Sequence, residues 1–420
     1  MKGEAHAVVH YESFPADHEH HENIHTDLFN RIVEAVSECP VLAKTVTPKG
    51  YSLLKAAVEV SSPLVHPSIK FLIEKNPTAL IWPGGDSLTR QQPLATIAGD
   101  RCHYTLMPWI AEKIPFVFDA SYDKFQEEIG GSWYPSHTYM TTNCKQPGED
   151  QSLIRQFYEV YPQGLRQGCP GGLPIHIYLS CVWEEPHVWN EPEIDIVKFM
   201  VDQNPTSLRV ATLSGEFPLH VACFGLIFHP TDTMAEVCLH LASKCPEAIP
   251  IFRSDGLLPI QILSCCINRP AVQKVALAFL RWYPGIIDAP ECRSLVNDEF
   301  SPAPKDVPFL RDVHTFVVEE IAVQKEVDPL ANLSAPWLEG VKLCNNDRHI
   351  PVADAYENWL ELRTAQLQNR LEQIHELVTE VGLKYQGEGP FRVAREIDEG
   401  GNEIIVWRQD GPGGEHELEL

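Results

Sequence analysis

A histidine and a cysteine lie three residues apart in the segment GEFPLHVACFG, which runs from Gly215 to Gly225. On a helix, this spacing places His220 and Cys223 on the same face. There the two side chains could share a metal ion, or the imidazole could act as the base that activates a thiol nucleophile. They could equally be structural residues of a repeated unit. Whether the segment recurs along the chain separates these interpretations.

Proline recurs after seven helix-like segments, at intervals of 37 to 47 residues. The prolines are Pro40, Pro77, Pro115, Pro162, Pro205, Pro246 and Pro284. The residues eight and five positions before each proline, and three positions after it, are apolar in all seven segments. The two upstream positions place one apolar stripe along a helix. Because proline cannot continue that helix, we expect each proline to mark its end.

Glycine followed closely by proline gives a second repeated feature. Such pairs are Gly172 with Pro174, Gly215 with Pro218, and Gly256 with Pro259. Glycine permits the positive φ of a tight turn, and proline suits the first turn of a helix, where an N–H has no partner. We therefore expect each unit to contain a turn, a short helix, a loop and a longer helix. Neither helix can bury its apolar face alone, so successive units must stack.

The segment Gly215 to Cys223 resembles the signature of the ankyrin-repeat family, in which Gly, Thr-Pro-Leu-His and Ala follow in order. Phe217 stands where the family has threonine. The next residues match the family pattern: Pro218, Leu219 and His220. GGLPIHIYLSC and GLLPIQILSCC look like weaker copies, and the second carries Gln261 in place of histidine. The resemblance covers about residues 26–300.

The units repeat at a longer period than the roughly 33 residues of ankyrin repeats, and their length also suits HEAT-type helix pairs. The glycine turn and the Pro-Leu-His sequence favour the ankyrin family. The resemblance implies a mainly α chain, with an ankyrin-like α-solenoid of about seven helix-pair repeats. It also implies structural roles for the repeated motif residues: Gly172, Pro174, His176, Gly215, Pro218, Leu219, His220, Gly256 and Pro259.

In the ankyrin family, the motif histidine bonds to loop backbone and ties neighbouring turns together. His220 recurs in this chain as His176 and, in a weaker copy, as His137. Cys223 has approximate counterparts on the short helices, where cysteine behaves as a small core residue: Cys181, Cys265 and Cys266. A pair that partly recurs with a structural period belongs to the architecture, so we expect no catalytic residue and no metal ligand there.

The resemblance also implies that a partner meets the turns and the short helices. The turns are residues 166–172, 210–215 and 252–256. The long loops between helices add candidate partner-binding residues: Trp183, Glu184, Glu185, Trp189, Phe228 and His229. Tryptophan is a common interface anchor, although it could instead fold back over its own loop. The glutamates and the formal net charge of −25 favour a partner with a basic face.

Charge and composition exclude several other classes of function. Binding to nucleic acid or to an anionic membrane surface needs clustered Lys and Arg, which a chain with a net charge of −25 does not favour. The first residues lack the apolar core of a signal peptide, and no run approaches the roughly 20 apolar residues of a membrane span. Twelve cysteines without CxxC spacing indicate reduced thiols. We expect a cytoplasmic protein, with the nucleus as an alternative, and no cofactor.

The sequence outside the repeats divides into four segments. Residues 1–25 form a histidine-rich tail that we expect to be disordered, although such histidines could hold Zn²⁺ or Ni²⁺. Residues 301–350 contain a capping helix and a linker, and the segment SAPWLEG is expected to be a loop. Residues 351–384 form a heptad helix, and residues 385–420 form a β-hairpin and an acidic tail.

The heptad helix carries a seam at alternating steps of four and three residues. Its members are Leu360, Thr364, Leu367, Leu371, Ile374, Val378 and Val381. A seam of about three heptads could mediate self-association through residues 354–382, or the helix could pack on the repeats.

Two functional classes remain. The first is a non-enzymatic protein-interaction scaffold or adaptor, because repeat arrays offer an extended surface and the familiar catalytic motifs are missing from the sequence. The second is a regulatory or catalytic activity in the segment after residue 350, with the repeats as its targeting arm. A pocket holding perturbed acids or histidines near the hairpin would favour the second class.

Overall fold

In the computed structural model, the described residues are 18–46, 52–81, 93–100, 102–123, 132–144, 151–184, 192–293, 300–343, 351–386, 391–397, 403–409 and 417–419. This part of the chain is mainly α and contains fifteen α-helices. It divides into two compact units, Met1–Leu213 and Ser214–Leu420. No helix within these ranges is long and apolar enough to cross a lipid bilayer.

The first unit contains helices α1 to α9 in its described part. They are α1 His18–Glu38, α2 Leu53–Val58, α3 His66–Lys75, α4 Pro93–Gly99, α5 Met107–Lys113, α6 Pro135–Cys144, α7 Ser152–Val160, α8 Pro174–Glu184 and α9 Ile194–Gln203. The even-numbered helices form an inner row, in which each helix packs against the next one. The odd-numbered helices form an outer row, in which α1 packs against α3, α5 against α7, and α7 against α9.

The second unit contains helices α10 to α15. They are α10 Pro218–Phe228, α11 Asp232–Lys244, α12 Pro259–Ser264, α13 Pro270–Trp282, α14 Pro308–Leu343 and α15 Pro351–Lys384. The same arrangement of rows holds here, since α10 packs against α12 and α11 against α13. Beyond the last pair, α14 packs against both α13 and α15. Helices therefore pack as sequential neighbours within each unit.

Each of the seven recurring prolines begins a short 3₁₀ helix directly after an outer helix. The residue before each proline has φ between −130° and −151° and ψ between 59° and 81°. Proline sterically disfavours the α conformation in the residue before it, which explains the shared geometry. The N–H of that residue still donates to the carbonyl four residues earlier. The prediction that these prolines mark helix ends is confirmed.

The apolar positions that flank each proline form the core of the units. The residues eight positions before and three positions after every proline are buried in all seven segments. Five positions before the proline, six of the seven residues are buried, and Ala35 is half-buried. The stripe predicted from the spacing therefore faces inward, as the amphipathic pattern requires.

The inner helices differ in length from the prediction of a short helix in every unit. α2 has 6 residues, whereas α8 and α10 have 11 each. As a result, Trp183 and Phe228 lie in the last turns of helices and not in loops. No proline lies between Pro174 and Pro186 or between Pro218 and Pro230, and an apolar stretch without proline can extend a helix already anchored by packing.

Two further helices extend beyond the predicted boundaries. α1 begins at His18, inside the segment predicted to be disordered, and residues 18–25 contain no glycine or proline to end a helix. α14 continues to Leu343 through SAPWLEG, which the sequence predicts to be a loop. A proline inside a helix costs about 3 kcal/mol, so Pro336 favours a loop in isolation. The helix nevertheless continues through this proline.

The heptad seam of α15 is covered by the same chain. Leu360, Leu367, Ile374 and Val378 are buried. Thr364, Leu371 and Val381 are half-buried. The helix packs along α14, which follows the predicted repeats, whereas the alternative to self-association in the sequence analysis was packing on the repeats themselves. Self-association through residues 354–382 stays a prediction.

Short strands lie outside the helical rows. β1 Tyr122–Asp123 pairs antiparallel with β2 Ser132–Trp133, and β3 Cys292–Arg293 pairs antiparallel with β4 Phe300–Ser301. Near the C-terminus, β5 Phe391–Ile397, β6 Glu403–Gln409 and β7 Glu417–Glu419 pair antiparallel in that order. Residues 398–402, which would form the turn of the predicted hairpin, lie outside the described residues, so the hairpin stays a prediction.

Three glycines before inner helices have positive φ: Gly172 at 100°, Gly215 at 78° and Gly256 at 88°. The Gly172→Ala substitution should lower the free energy of unfolding by about 1–3 kcal/mol, because alanine is strained at such a φ. The added Cβ would also lie 2.8 Å from the ring of His176 and 2.9 Å from Cγ2 of Thr212.

Gly168→Ala is the matched control in the same turn. Its Cβ would meet only Cδ2 of Leu173, at 3.9 Å, which is an ordinary contact. Urea unfolding followed by circular dichroism measures both variants. Equal losses of stability in Gly168→Ala and Gly172→Ala would contradict the conformational requirement at Gly172.

Candidate functional site

His220 lies in the first turn of α10 and uses both ring nitrogens for hydrogen bonds to backbone. The N–H of Phe217 donates to Nδ1 at 3.2 Å, and Nε2–H donates to the carbonyl oxygen of Ile251 at 3.1 Å. This geometry fixes the neutral tautomer that carries its proton on Nε2. The side chain is fully buried. One residue therefore caps its own helix and holds the backbone that leads into the next turn.

The same bridge occurs at three other inner helices. Nδ1 of His137 accepts from Tyr134 N–H at 3.2 Å, and Nε2 donates to Gln167 O at 2.9 Å. Nδ1 of His176 accepts from Leu173 N–H at 3.1 Å, and Nε2 donates to Val210 O at 3.1 Å. In the last copy, Oε1 of Gln261 accepts from Leu258 N–H at 3.0 Å, and Nε2 donates to Pro290 O at 3.0 Å. We call these four residues the bridging residues.

Cys223 is not positioned as a nucleophile beside His220. Burial raises the pKa of its thiol well above the ordinary value, and the neighbouring thiol of Cys238 raises it further. His220 has no ring nitrogen left to act as a base, because each one is bound to backbone. The pair therefore contributes to packing, as its partial recurrence suggests. Of the counterparts, Cys181 is buried, but Cys265 is exposed because it caps the end of the six-residue α12.

Asparagine provides a second kind of bridge, which the sequence analysis missed. The residue before Pro77 is Asn76, whose Nδ2 donates to the carbonyl oxygen of Ala43 at 3.0 Å. The residue before Pro205 is Asn204, whose Nδ2 donates to Leu165 O at 2.9 Å. In both cases, the threonine two residues later donates to the asparagine Oδ1. The identical NPT triplets at these two prolines were the available signal.

A pair of histidines joins the second and third repeats. Nε2 of His66 lies 2.8 Å from Cys102 O and 3.2 Å from Nδ1 of His103. Nε2 of His103 in turn lies 3.1 Å from Val58 O. Burial lowers the pKa of His66. These histidines follow no repeat offset, so the spacing gave no indication that they would meet.

Arg253 organises the turn formed by residues 252–256. Its Nη1 lies 2.8 Å from Oε1 of Glu216, and its guanidinium also pairs with Asp255. It stacks on the ring of Phe224, with 4.9 Å to the ring centroid. The turn is thus held to the start of α10 by a part-buried ion pair and a cation–π contact.

Cation–π contacts also join neighbouring outer helices in the first unit. Nζ of Lys70 on α3 lies 5.3 Å from the ring centroid of Trp109 on α5. Arg155 on α7 lies 5.4 Å from the ring centroid of Phe199 on α9. In both pairs, the cation stands seven residues before its proline and the aromatic residue stands six residues before the next one. Basic residues on the outer row therefore join adjacent helices.

The predicted partner-binding residues do not form one described surface. Trp183 and Glu184 belong to the last turn of α8, but their side chains, like Glu185 and Trp189 as a whole, lie outside the described residues. Phe228 ends α10 and is half-buried. His229 follows it and is also half-buried, and burial lowers its pKa to about 4. The role of these residues in partner binding stays a prediction.

The turns themselves expose large apolar side chains. In the first unit, Leu213 is 77% exposed and Val210 is 41% exposed. In the second unit, Phe252 is 49% exposed beside Arg253. All three residues lie in the turns that the family resemblance assigns to partner binding. Exposed apolar side chains on rigid turns can serve as interface anchors.

Among the described residues, no group of three His, Cys, Asp or Glu side chains could hold a metal ion. His6 and His10 lie outside these ranges, and the side chains of His18, His20, His21 and His25 are not described, so the question of metal binding by the tail stays open.

Comparison with known families gives no assignment. No protein-family model matches the chain. A comparison with curated proteins also finds no match.

Replacing His220 with alanine should lower the free energy of unfolding by about 1–3 kcal/mol, because two backbone groups lose their partner. His220→Gln is the informative control, since Gln261 makes both equivalent bonds in the next repeat. We expect glutamine to recover most of the loss. Urea unfolding of the three proteins measures the difference. A stoichiometric metal lost with His220→Ala would contradict the structural role.

Acid should destabilise the fold through two of the bridging residues. Burial lowers the pKa of His137 and of His220 to about 4, whereas an unfolded histidine has a pKa near 6.5. Above pH 6.5, both states are neutral and the histidines add no pH dependence. As the pH falls from 6.5 to 4, only the unfolded state gains protons, so stability is lost by up to about 3 kcal/mol per histidine.

The His220→Gln variant isolates one of these contributions. We expect its free energy of unfolding to fall less steeply than that of the unsubstituted protein between pH 6.5 and 4.5. Urea titrations at several pH values give the two slopes. Parallel curves would show that His220 does not titrate differently in the folded and unfolded states.

Proposed function

We propose that residues 26–300 form an ankyrin-like repeat array that acts as a non-enzymatic scaffold or adaptor for a protein partner. The observation that carries this proposal is the bridge made by His137, His176, His220 and Gln261. Each copy joins the start of an inner helix to backbone 29 to 34 residues later. The two rows of helices within each compact unit support the same architecture, as do the positive-φ glycines Gly172, Gly215 and Gly256.

The repeat architecture suits the binding of a protein partner better than it suits catalysis. A stack of repeated units offers an extended and rigid surface, along which turns recur at regular intervals. The histidine and thiol that first suggested catalysis are engaged in backbone bonding and core packing. The turns, in contrast, expose Val210, Leu213 and Phe252. We therefore assign the partner to the turns, the inner helices and the loops that follow α8 and α10.

The partner that fits this chain has a basic face. The chain carries 58 acidic and 33 basic residues, which leaves a formal net charge of −25. Glu184 and Glu185 stand beside Trp183, so an aromatic anchor and acidic groups occur in one segment. Complementary charge speeds encounter and suppresses wrong partners, while a buried aromatic side chain supplies affinity.

A tryptophan substitution tests this surface. We expect Trp183→Ala combined with Trp189→Ala to reduce capture of the partner in a pull-down from the native cell, because two anchors are removed. Trp282→Ala is the matched control, since Trp282 is 41% exposed on the outer helix α13. Circular dichroism must show equal helicity for all baits. We also expect capture to fall as salt rises from about 0.05 to 0.5 M.

The outcomes separate the parts of the proposal. Unchanged capture by the folded double variant would remove these tryptophans from the site. Loss of capture in Trp282→Ala alone would place the partner on the outer row instead. Capture that does not depend on salt would contradict the basic face of the partner.

A further inference from the structure

The apolar face of α15 is already covered by the rest of the chain. Leu360, Leu367, Ile374 and Val378 are buried where the helix packs along α14. The opposite face is polar and exposed at Gln366, Asn369, Gln373, Glu376 and Glu380. Among the side chains of α15 that the structure describes, the exposed large apolar residues are Trp359, Leu362 and Leu383. This described part of the outward face offers little apolar surface for the side-by-side association of two copies.

Ion pairs fix how α15 lies on α14. The pairs are Arg363 with Glu326 at 2.8 Å, Arg370 with Glu319 at 2.6 Å, and Lys384 with Asp312 at 3.4 Å, and a hydrogen bond joins Nε2 of His375 to Oε1 of Glu320 at 2.9 Å. As the residue number rises along α15, the partner number falls along α14 overall, so the two helices are antiparallel. Every acidic member lies on α14 and every basic member on α15.

The charges follow the heptad spacing of the seam. Asp312, Glu319 and Glu326 are seven residues apart on α14, and we call them the acidic row. Arg363, Arg370 and Lys384 are separated by seven and fourteen residues on α15, and we call them the basic row. A row of one sign on each helix favours the choice of partner and the orientation of a helix pair. The recognition surface of α14 is therefore an apolar stripe with an acidic border.

The buried apolar seam binds α15 firmly to α14, whereas the exposed ion pairs at the edges of the seam bind it weakly. Arg363 and Glu326 have side chains that are 40% and 57% exposed, and ion pairs of this kind stabilise little. At the far end, Oε1 of Gln273 on α13 is so close to Gly382 that an added Cβ would lie 3.3 Å away. Within the described part of the chain, Nε2 of this buried Gln273 has no hydrogen-bond partner.

We propose that α15 is an exchangeable helix, and that the α14 face with its acidic row is a docking surface for α15 of a second copy of this chain. A second copy presents the same seam and the same basic row at the same spacing, so every pair made within one chain can be made between two. Reciprocal exchange of one element is a low-cost route to a dimer. The connection of residues 344–350 is the only covalent link between the two helices. This inference does not rest on the proposed function.

Charge reversal provides the test. The first variant carries Glu319→Arg and Glu326→Arg, so that like charges face each other within the chain. The second carries Arg363→Glu and Arg370→Glu, with the same consequence. Mixed together, each variant offers the α15 that matches the α14 of the other. We expect size-exclusion chromatography with light scattering to show a one-to-one heterodimer after mixing, at twice the mass of the chain.

Two controls define the result. The variant with all four substitutions restores opposite charges within one chain, and it should behave as the unsubstituted protein does. A mixture of the first variant with a fluorescently labelled copy of itself should yield roughly tenfold less dimer, because like charges still face each other. Circular dichroism checks that each variant keeps its helicity, which is expected because the substituted side chains are partly exposed.

Two outcomes would overturn the proposal. One is that the two variants elute as separate monomers after mixing. The other is an equal yield of dimer from matched and like-charged mixtures, because association would then use a surface other than α14 and α15.

Discussion

The ordered stacking of the repeats depends on one interaction. A single side chain at the start of an inner helix must form hydrogen bonds with two backbone groups at once. An N–H in the first turn of a helix has no partner within that helix, so the acceptor atom of the bridging residue caps it. The donor atom of the same side chain reaches the carbonyl of a segment about 30 residues further on. The site requires one acceptor and one donor at a fixed separation, which neutral imidazole provides. Gln261 meets the same requirement with an amide, which shows that imidazole chemistry is not what the site needs.

The proline turns supply a constraint that does not depend on side-chain bonding. Proline forces the residue before it out of the α conformation, and all seven pre-proline residues take nearly the same φ and ψ. The chain therefore leaves each outer helix in the same direction. The distance between prolines can then vary from 37 to 47 residues, because the extra length falls between turns whose geometry is fixed. Repeats of unequal length keep the same packing for this reason.

Local constraints made part of this fold predictable from the sequence. The prolines, the apolar positions around them, and Gly215 and Gly256 each act within a few residues, so spacing alone located them. The sequence analysis placed the end of α10 too early. Packing extends this helix past the point where the local helix propensity falls. The bridge from Asn204 and the meeting of His66 with His103 were missed, since both need three-dimensional proximity. The seam of α15 was visible in the sequence, but its packing along α14 was not predicted, because the heptad pattern left open only self-association or packing on the repeats.

Basic side chains contact acidic groups or aromatic rings on neighbouring elements of the fold. Arg253 and Arg370 form ion pairs, and Lys70 and Arg155 lie over aromatic rings. The chain as a whole carries a formal net charge of −25. A field of this kind extends about 10 Å at moderate salt, so it would accelerate the approach of the basic partner proposed above without selecting it. In that proposal, selection would come from short-range contacts, for which the turns expose Val210, Leu213 and Phe252. The bridging residues that fix the turns therefore also determine which surface the chain presents.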